Sequence, residues 1–84
     1  MQKIRVVLAD DHYIVRNGIK NLIEGDDIEV VGEANDGIEA LEQVKLLTPD
    51  VLMIDITMPR MNGLDTAEIV SKQFKNTKSL ILSM

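Results

Sequence analysis

The chain has 84 residues, of which 45% are hydrophobic and 27% are charged, and its formal net charge is −5. These values are typical of one small globular domain, and the acidic balance argues against a surface that binds nucleic-acid phosphates. The sequence contains no cysteine, which excludes disulfides and thiolate zinc sites, and no apolar run suits a signal peptide or a membrane span. We therefore expect a cytoplasmic protein that binds neither nucleic acid nor membrane through this segment.

The sequence opens with an apolar strand and an amphipathic helix. Residues 4–9 form an apolar, β-branched run that ends in acids, which is typical of a fully buried strand. Residues 12–24 then change to helical spacing, with Asp11 as the expected N-cap and Gly25 as the expected stop. One apolar stripe of this helix is expected to face the core, and it comprises Ile14, Val15, Ile19, Leu22 and Ile23.

A second strand and a second helix follow. Residues 28–34, IEVVGEA, predict a strand. The helix after it is expected to begin at a capping box formed by Asp36 and Glu39. It should end at Thr48-Pro49, because the ring of proline blocks the continuation of a helix.

The rest of the chain completes an alternating βαβαβαβ order. It adds a strand at 51–54, a helix from about 64 to 74 and a last strand, SLILSM, at 79–84. This order predicts an α/β fold with a doubly wound parallel sheet. Because crossovers are right-handed, a strand order of 2-1-3-4 puts the first helix on one face and the other two on the opposite face.

Three acids lie at the carboxyl ends of the two strands that flank the switch point of this sheet. Asp10 and Asp11 follow strand 1, and Asp55 ends strand 3. Ligands in open α/β sheets bind in the crevice at that point. One acid after a strand is most often a turn residue or an N-cap, whereas three converging acids indicate a binding site.

A cluster of three carboxylates requires a compensating cation. The carboxylates repel one another at low dielectric, so they stay ionised together only beside positive charge. Oxygen ligands with room for water suit Mg²⁺ or Mn²⁺ rather than zinc. Such an ion completes its shell with water and phosphate oxygens, so phosphoryl chemistry is the leading interpretation, with one carboxylate as the nucleophile.

Several segments form a recognisable set, namely VVLADDH, GEANDGIEAL, PDVLMIDITMPRMNGLD and LILSM. Together they closely resemble the receiver domain of two-component response regulators. The segments DDHYIVRNGIKNLIE and VVGEANDG are most similar to the NarL/FixJ subgroup, whose output is a LuxR-type helix-turn-helix domain. The resemblance implies a flavodoxin-like (CheY-like) fold, a sensor histidine kinase as the phosphoryl donor, and a parent protein that regulates transcription. It also implies a switch rather than an enzyme.

The resemblance assigns roles to five residues. Asp55 would be the phosphoacceptor. Asp10 and Asp11 would hold Mg²⁺ together with Asp55 and the backbone carbonyl of Thr57. Ser83 stands where the family has a switch hydroxyl that donates a hydrogen bond to the phosphoryl oxygen.

The residue at position 57 separates the alternatives. Aspartyl-phosphate hydrolases of the haloacid-dehalogenase type need a second Asp there as general acid/base, and Thr57 cannot play that part. Turnover should therefore be slow, and a phospho-Asp should last long enough to act as a signal. A phosphorylation-independent interaction module with the same fold is the remaining alternative, and the three acids disfavour it because such a module does not need them.

Residues 1–84 are expected to be an incomplete receiver domain. A complete one would continue through a fourth helix, a fifth strand and a fifth helix, and the family's lysine at the end of strand 5 has no counterpart here. Phosphotransfer should be slower without that lysine. The last strand is apolar and uncharged, so its open edge and the uncovered face are expected to drive self-association.

Overall fold

The computed structural model describes residues 2–82, which form a four-stranded sheet and three helices. In chain order the elements are β1 (Ile4–Ala9), α1 (Tyr13–Ile23), β2 (Ile28–Ala34), α2 (Gly37–Leu47), β3 (Val51–Asp55), α3 (Gly63–Gln73) and β4 (Lys78–Leu82). The strand order is β2-β1-β3-β4, and every strand pair is parallel. The predicted doubly wound α/β fold with order 2-1-3-4 is therefore confirmed.

The two central strands end at the same edge of the sheet. β1 and β3 are in a register that places Ala9 beside Ile54, and Ala9 also lies beside Ala34 of β2. Because parallel strands share one direction, the residues that follow these positions emerge at one carboxyl edge. Residues 10 and 55 are thus brought to the switch point of the sheet.

The helices cover the two faces of the sheet unequally. α2 and α3 contact each other on one face, above a core that comprises Val7, Ala9, Ala34, Ala40, Val44, Leu52, Ile54, Met58 and Val70. On the opposite face α1 contacts β1 and β2, where Val6 and Leu8 are buried. Leu80 of β4 points to that second face, because side chains alternate along a strand, and it is 51% exposed.

Helix α1 packs through a narrower stripe than the one predicted. Three residues of the predicted stripe are partly buried, namely Val15, Ile19 and Ile23. Ile14 and Leu22 are 84% and 85% exposed, so the prediction was wrong for them. The buried residue of the helix is Arg16, whose guanidinium reaches the strand ends and sets the rotation of α1 about its axis.

Of the two predicted end signals of α1, the N-cap was wrong. His12, not Asp11, is the N-cap residue, and the backbone N–H of His12 donates to Oδ1 of Asp10 at 2.8 Å. The buried carboxylate of Asp10 is therefore the one that accepts a hydrogen bond at the start of the helix. At the other end α1 stops directly before Gly25, as predicted, with Glu24 as the C-cap in an extended conformation, although Gly25 does not adopt the left-handed conformation common at such positions.

The predicted ends of α2 are confirmed. Oδ1 of Asp36 accepts a hydrogen bond from the backbone N–H of Glu39 at 2.8 Å. Oε1 of Glu39 reaches back to the N–H of Asn35 at 2.8 Å, one residue before the N-cap. At the C-terminus Thr48 has φ 43° and ψ 60°, a left-handed conformation that turns the chain into Pro49.

Candidate functional site

The three acids predicted at the switch point lie together in the structure. Asp10, Asp11 and Asp55, with His12, each offer one potential ligand atom, and these atoms all lie within 4.8 Å of one another. Asp10 is 1% exposed and Asp55 is 8% exposed, whereas the side chain of Asp11 is 32% exposed. The cluster therefore has a buried floor and a side that opens to solvent.

The backbone around the cluster is fixed by the sheet. The N–H of Asp10 donates to the carbonyl of Ala34 at 3.1 Å, which ties the end of β1 to β2. Asp55 is the last residue of β3, and the N–H of Ile56 donates to the carbonyl of Leu82 at 3.3 Å. Hydrogen bonds to β2 on one side and to β4 on the other thus hold the backbone of the crevice in place.

The histidine beside the acids is bound to two of them. Nδ1 of His12 lies 3.2 Å from Oδ1 of Asp10 and 3.0 Å from Oδ1 of Asp11, and its side chain is 67% exposed. Within residues 2–82 neither of these contacts of His12 extends to the carboxylate of Asp55. The Asp55 oxygens are therefore available to a ligand in the crevice.

The loop that follows β3, residues 56–62, closes tightly against the end of that strand. The N–H of Gly63 donates to the carbonyl of Ile56 at 2.7 Å. A Cβ at position 63 would clash with the carbonyl of Asp55 and lie 3.0 Å from Cα of Ile56, so this approach requires glycine. Thr57 lies in this loop, exposed, two residues after Asp55.

A buried arginine that the sequence pattern did not single out braces the rim of the crevice. Nη1 of Arg16 donates to the carbonyls of Asp10 at 2.8 Å and Ala34 at 3.2 Å, and to Oδ1 of Asn35 at 2.6 Å. Its Nε donates to Oε1 of Glu33 at 2.9 Å. The available signal was a cation beside the apolar residues Val15 and Ile19 of α1.

A second arginine links the loop after β3 to helix α2. Nε and Nη2 of Arg60 both lie 2.8 Å from Oδ2 of Asp36. Burial raises the pKa of Asp36, but hydrogen bonds from the Glu39 backbone and from Arg60, with the charge of Arg60, outweigh it. The pKa of Asp36 is held below its ordinary value of 3.8.

The donor chemistry of the cluster fits a hard divalent cation. Three carboxylates converge from two strand ends, and one of them lies at the solvent-exposed side where bound water fits. Oxygen ligands with room for water are what Mg²⁺ requires. Asp10, Asp11 and Asp55 could therefore hold Mg²⁺.

Two further predictions concern the switch hydroxyl and the absence of a membrane span. Ser83, the predicted switch hydroxyl, lies outside the described residues, as does the end of the predicted last strand. In the part of the chain that the structure describes, none of the helices has the length and apolar character needed to cross a bilayer.

Comparisons with known proteins agree with the geometry of this site. The family model of the response regulator receiver domain matches residues 6–84. The chain is 47% identical over 74 residues to a protein-glutamate methylesterase/protein-glutamine glutaminase of Pyrococcus abyssi, a match that covers 87% of this chain. It is 40% identical over 81 residues to the transcriptional regulatory protein YhcZ of Bacillus subtilis, which covers 95% of the chain.

A solved structure gives the same result. The signal receiver domain of the response regulator NarL from Mycobacterium tuberculosis superposes with a TM-score of 0.90 and 40% identity, over 99% of this chain and 68% of that one. The chain spans 20% of the length of the methylesterase and 38% of that of YhcZ. A LuxR-family regulator from Aurantimonas also superposes, with a TM-score of 0.92, which confirms the resemblance to regulators of that type. The parallel sheet, the three acids at its switch point and the matched family model show that this chain belongs to the response regulator receiver domain family.

Proposed function

We propose that this chain is a phosphoacceptor module of a two-component signalling system. Asp55 accepts a phosphoryl group from the phosphohistidine of a sensor kinase in a Mg²⁺-dependent reaction. The observation that carries this proposal is the convergence of Asp10, Asp11 and Asp55 within 4.8 Å at the switch point of the sheet. An acceptor carboxylate that is 8% exposed and beside two further acids suits metal-assisted phosphoryl transfer.

The transfer is a nucleophilic displacement at phosphorus. One Oδ of Asp55 attacks the phosphorus of the donor, and the new O–P bond forms as the P–N bond breaks. The electron pair of the broken bond stays on the imidazole nitrogen of the kinase, which takes up a proton. Water later attacks the phosphorus, which releases inorganic phosphate and restores the carboxylate of Asp55.

Residues of this chain orient the acceptor and the metal ligands. Asp10, Asp11, Asp55 and the backbone carbonyl of Thr57 would hold the ion, and Mn²⁺ would be accepted in place of Mg²⁺. When bound, the ion neutralises negative charge on the transferring group. The hydrogen bond from the N–H of His12 at 2.8 Å keeps the carboxylate of Asp10 turned into the crevice.

Two further residues affect the phosphorylated form of Asp55, one through its lifetime and the other through a hydrogen bond to the phosphoryl group. Thr57 lacks the carboxylate that would serve as general acid/base at this position, so hydrolysis of the phospho-Asp is slow and the module acts as a switch. Ser83 would donate a hydrogen bond from its hydroxyl to the phosphoryl oxygen. These roles rest on the match to the receiver family.

The proposed setting is a longer cytoplasmic regulator of transcription. Residues 1–84 would be part of its receiver domain, and a separate output domain would bind DNA. Relatives named transcriptional regulatory proteins from Bacillus subtilis and Brevibacillus brevis support this assignment. The net charge of −5 argues against DNA binding by residues 1–84 themselves.

The test is the intact mass of the protein after incubation with a small-molecule phosphoramidate and Mg²⁺. We expect a gain of one phosphoryl mass in the unaltered chain and no gain when EDTA is added. Asp55→Asn should abolish the gain. Asp26→Asn, which alters an exposed acid before β2 at the opposite edge of the sheet, should leave the gain unchanged.

Two results would count against the proposal. If the Asp55→Asn variant still gained one phosphoryl mass, Asp55 would not be the acceptor. No gain in the unaltered chain would contradict phosphoacceptance and favour an interaction module that works without phosphorylation.

A further inference from the structure

An ion pair outside the acid cluster joins the loop after β3 to the first turn of α2. We propose that the pair formed by Arg60 and Asp36 is a positioning device, which holds the loop at 56–62 so that the backbone carbonyl of Thr57 stays at the crevice. The inference rests on the proposed function, because that function gives the carbonyl of Thr57 its role as a metal ligand.

The anchor of this ion pair is rigid. The side chain of Asp36 is 10% exposed, and its Oδ1 accepts a hydrogen bond from the N–H of Glu39 in the first turn of α2. Its Oδ2 is left for Arg60, whose Nε and Nη2 both approach it to 2.8 Å. A carboxylate that is fixed by a helix N-terminus on one side restrains the arginine on the other.

The backbone of Arg60 needs such a restraint. Its φ is 66°, in the left-handed region that residues with a side chain rarely adopt. The N–H of Met61 donates to the carbonyl of Pro59 at 2.8 Å, so Arg60 is the central residue of a three-residue turn. Turns of this kind with positive φ are strained, and they persist where the surroundings hold them.

Packing provides an independent indication that the loop is seated on α2. A Cβ at Gly37 would clash with the carbonyl of Met61 and lie 2.7 Å from Cβ of Met61. The loop therefore lies directly on the first turn of α2. With the closure of Gly63 onto Asp55 at its other end, the loop is held at both sides of Thr57.

This arrangement predicts a specific consequence for the metal site. Without the ion pair the strained turn at Arg60 relaxes, and the carbonyl of Thr57 is no longer held in one position. Loss of a group that orients a metal ligand typically lowers metal affinity by about 10–100-fold. We expect the dissociation constant for Mg²⁺ to rise about ten-fold.

The test uses two variants that break the pair without breaking its surroundings. Arg60→Gln removes the positive charge and keeps a side chain at φ 66°, so the backbone strain is unchanged. Asp36→Asn removes the charge but keeps an oxygen that caps α2. As a control, Lys72→Gln and Glu68→Gln break an exposed ion pair of 3.3 Å within α3.

Two measurements are made on each variant, on both double variants and on the unaltered chain. Amide hydrogen exchange of Met61 and Gly63, by NMR without metal, reports whether the loop is held. Calorimetric titration with Mg²⁺ reports the affinity of the site. We expect faster exchange and about ten-fold weaker Mg²⁺ binding in Arg60→Gln and Asp36→Asn, no additional effect in their double variant, and no change in the controls.

The outcomes separate this inference from the proposed function. Unchanged exchange in either variant, or faster exchange with unchanged Mg²⁺ affinity, would overturn the positioning role. If the variants of Arg60 and Asp36 had a lower urea midpoint but an unchanged Mg²⁺ affinity, the ion pair would stabilise the fold without positioning the metal ligand, and the inference would be overturned. No Mg²⁺ binding by the unaltered chain would contradict the proposed function, whereas the exchange measurement would still decide whether the ion pair holds the loop.

Discussion

Asp10, Asp11 and Asp55 share one side-chain chemistry in three different environments. Asp10 is buried and accepts the N–H of His12, Asp11 is partly open to solvent, and Asp55 lies at the end of a buried strand. These environments suit different tasks. Under the proposed function, the buried, hydrogen-bonded carboxylate would be a fixed metal ligand, the open one would share the ion with water, and the one without a partner among residues 2–82 would be the nucleophile.

Arg16 shows how a single cation can stabilise the rim of an acidic crevice. Its guanidinium is nearly buried, yet its bonds satisfy carbonyl groups at the ends of both β1 and β2. An arginine can bind several acceptors at once because its donors form a rigid planar fork. The strand ends that carry Asp10 and Asn35 are thereby joined through one side chain.

The lowered pKa of Asp36 predicts a dependence of stability on pH. A carboxylate whose pKa is lower in the folded state than in the unfolded state stabilises the fold above the unfolded value. For Asp36 that contribution is complete well above 3.8 and is lost as the pH falls through the depressed folded value. We therefore expect Asp36→Asn to lower the urea midpoint at pH 7 and to weaken the loss of stability on acidification.

The measurement is the urea midpoint between pH 7 and pH 3, followed by circular dichroism. Asp26→Asn is the matched control, since Asp26 is exposed and forms no ion pair in the part of the chain that the structure describes. It should keep the acid dependence of the unaltered chain. An Asp36→Asn variant with an unchanged midpoint at pH 7 would show that the Arg60 pair does not stabilise the fold.

The loop between β3 and α3 depends on close backbone approaches. Gly63 touches the backbone of Asp55, and Gly37 of α2 touches that of Met61. Neither glycine has a positive φ, so both are required for space rather than for conformation. The segment MPRMNG thus forms a compact loop, because glycine at positions 63 and 37 leaves room for the backbone to approach β3 and α2 closely.

Two glycine substitutions should therefore have opposite effects. Gly63→Ala should destabilise the chain by about 1–3 kcal/mol, because its Cβ has no room beside Asp55. Gly18→Ala in the middle of α1 should stabilise it by about 0.5–1 kcal/mol, because nothing lies within 4 Å of the added Cβ. Urea unfolding measures both, and equal effects of the two variants would contradict the close approach at Gly63.

The free edge of the sheet affects the behaviour of the whole molecule. Among the described residues β4 pairs with β3 only, and Leu80 is 51% exposed on the face that α1 leaves open. An apolar edge strand can pair with another chain. We expect the unaltered chain to self-associate and Leu80→Lys to reduce this, because a charge on an edge strand opposes pairing.

Sedimentation velocity over a range of concentrations provides the test. Leu46→Lys is the matched control, since Leu46 on α2 is 75% exposed but lies away from β4. It should associate like the unaltered chain. A monomer at every concentration would contradict self-association. An equal reduction of association in Leu80→Lys and Leu46→Lys would show that β4 is not the contact surface.

Local sequence was sufficient to predict most of the fold. Alternating apolar runs and helical stripes predicted seven elements, and for a strand order of 2-1-3-4 right-handed crossovers predicted which face of the sheet each helix covers. Asp36 was recognised as a cap because the bonds of a cap join neighbouring residues. Asp10, Asp11 and Asp55 were recognised as one cluster because parallel strands place their carboxyl ends at one edge.

Only the tertiary structure could decide which side chains brace the site. The rotation of α1 follows from bonds between Arg16 and carbonyls on two strands, so helical periodicity misplaced Ile14 and Leu22. Likewise, Arg60 and Asp36 are 24 residues apart and meet only after the sheet has formed. Periodicity records which side of an element is apolar, whereas the partner of a buried charge depends on how separate elements pack, and that information is not local in the chain.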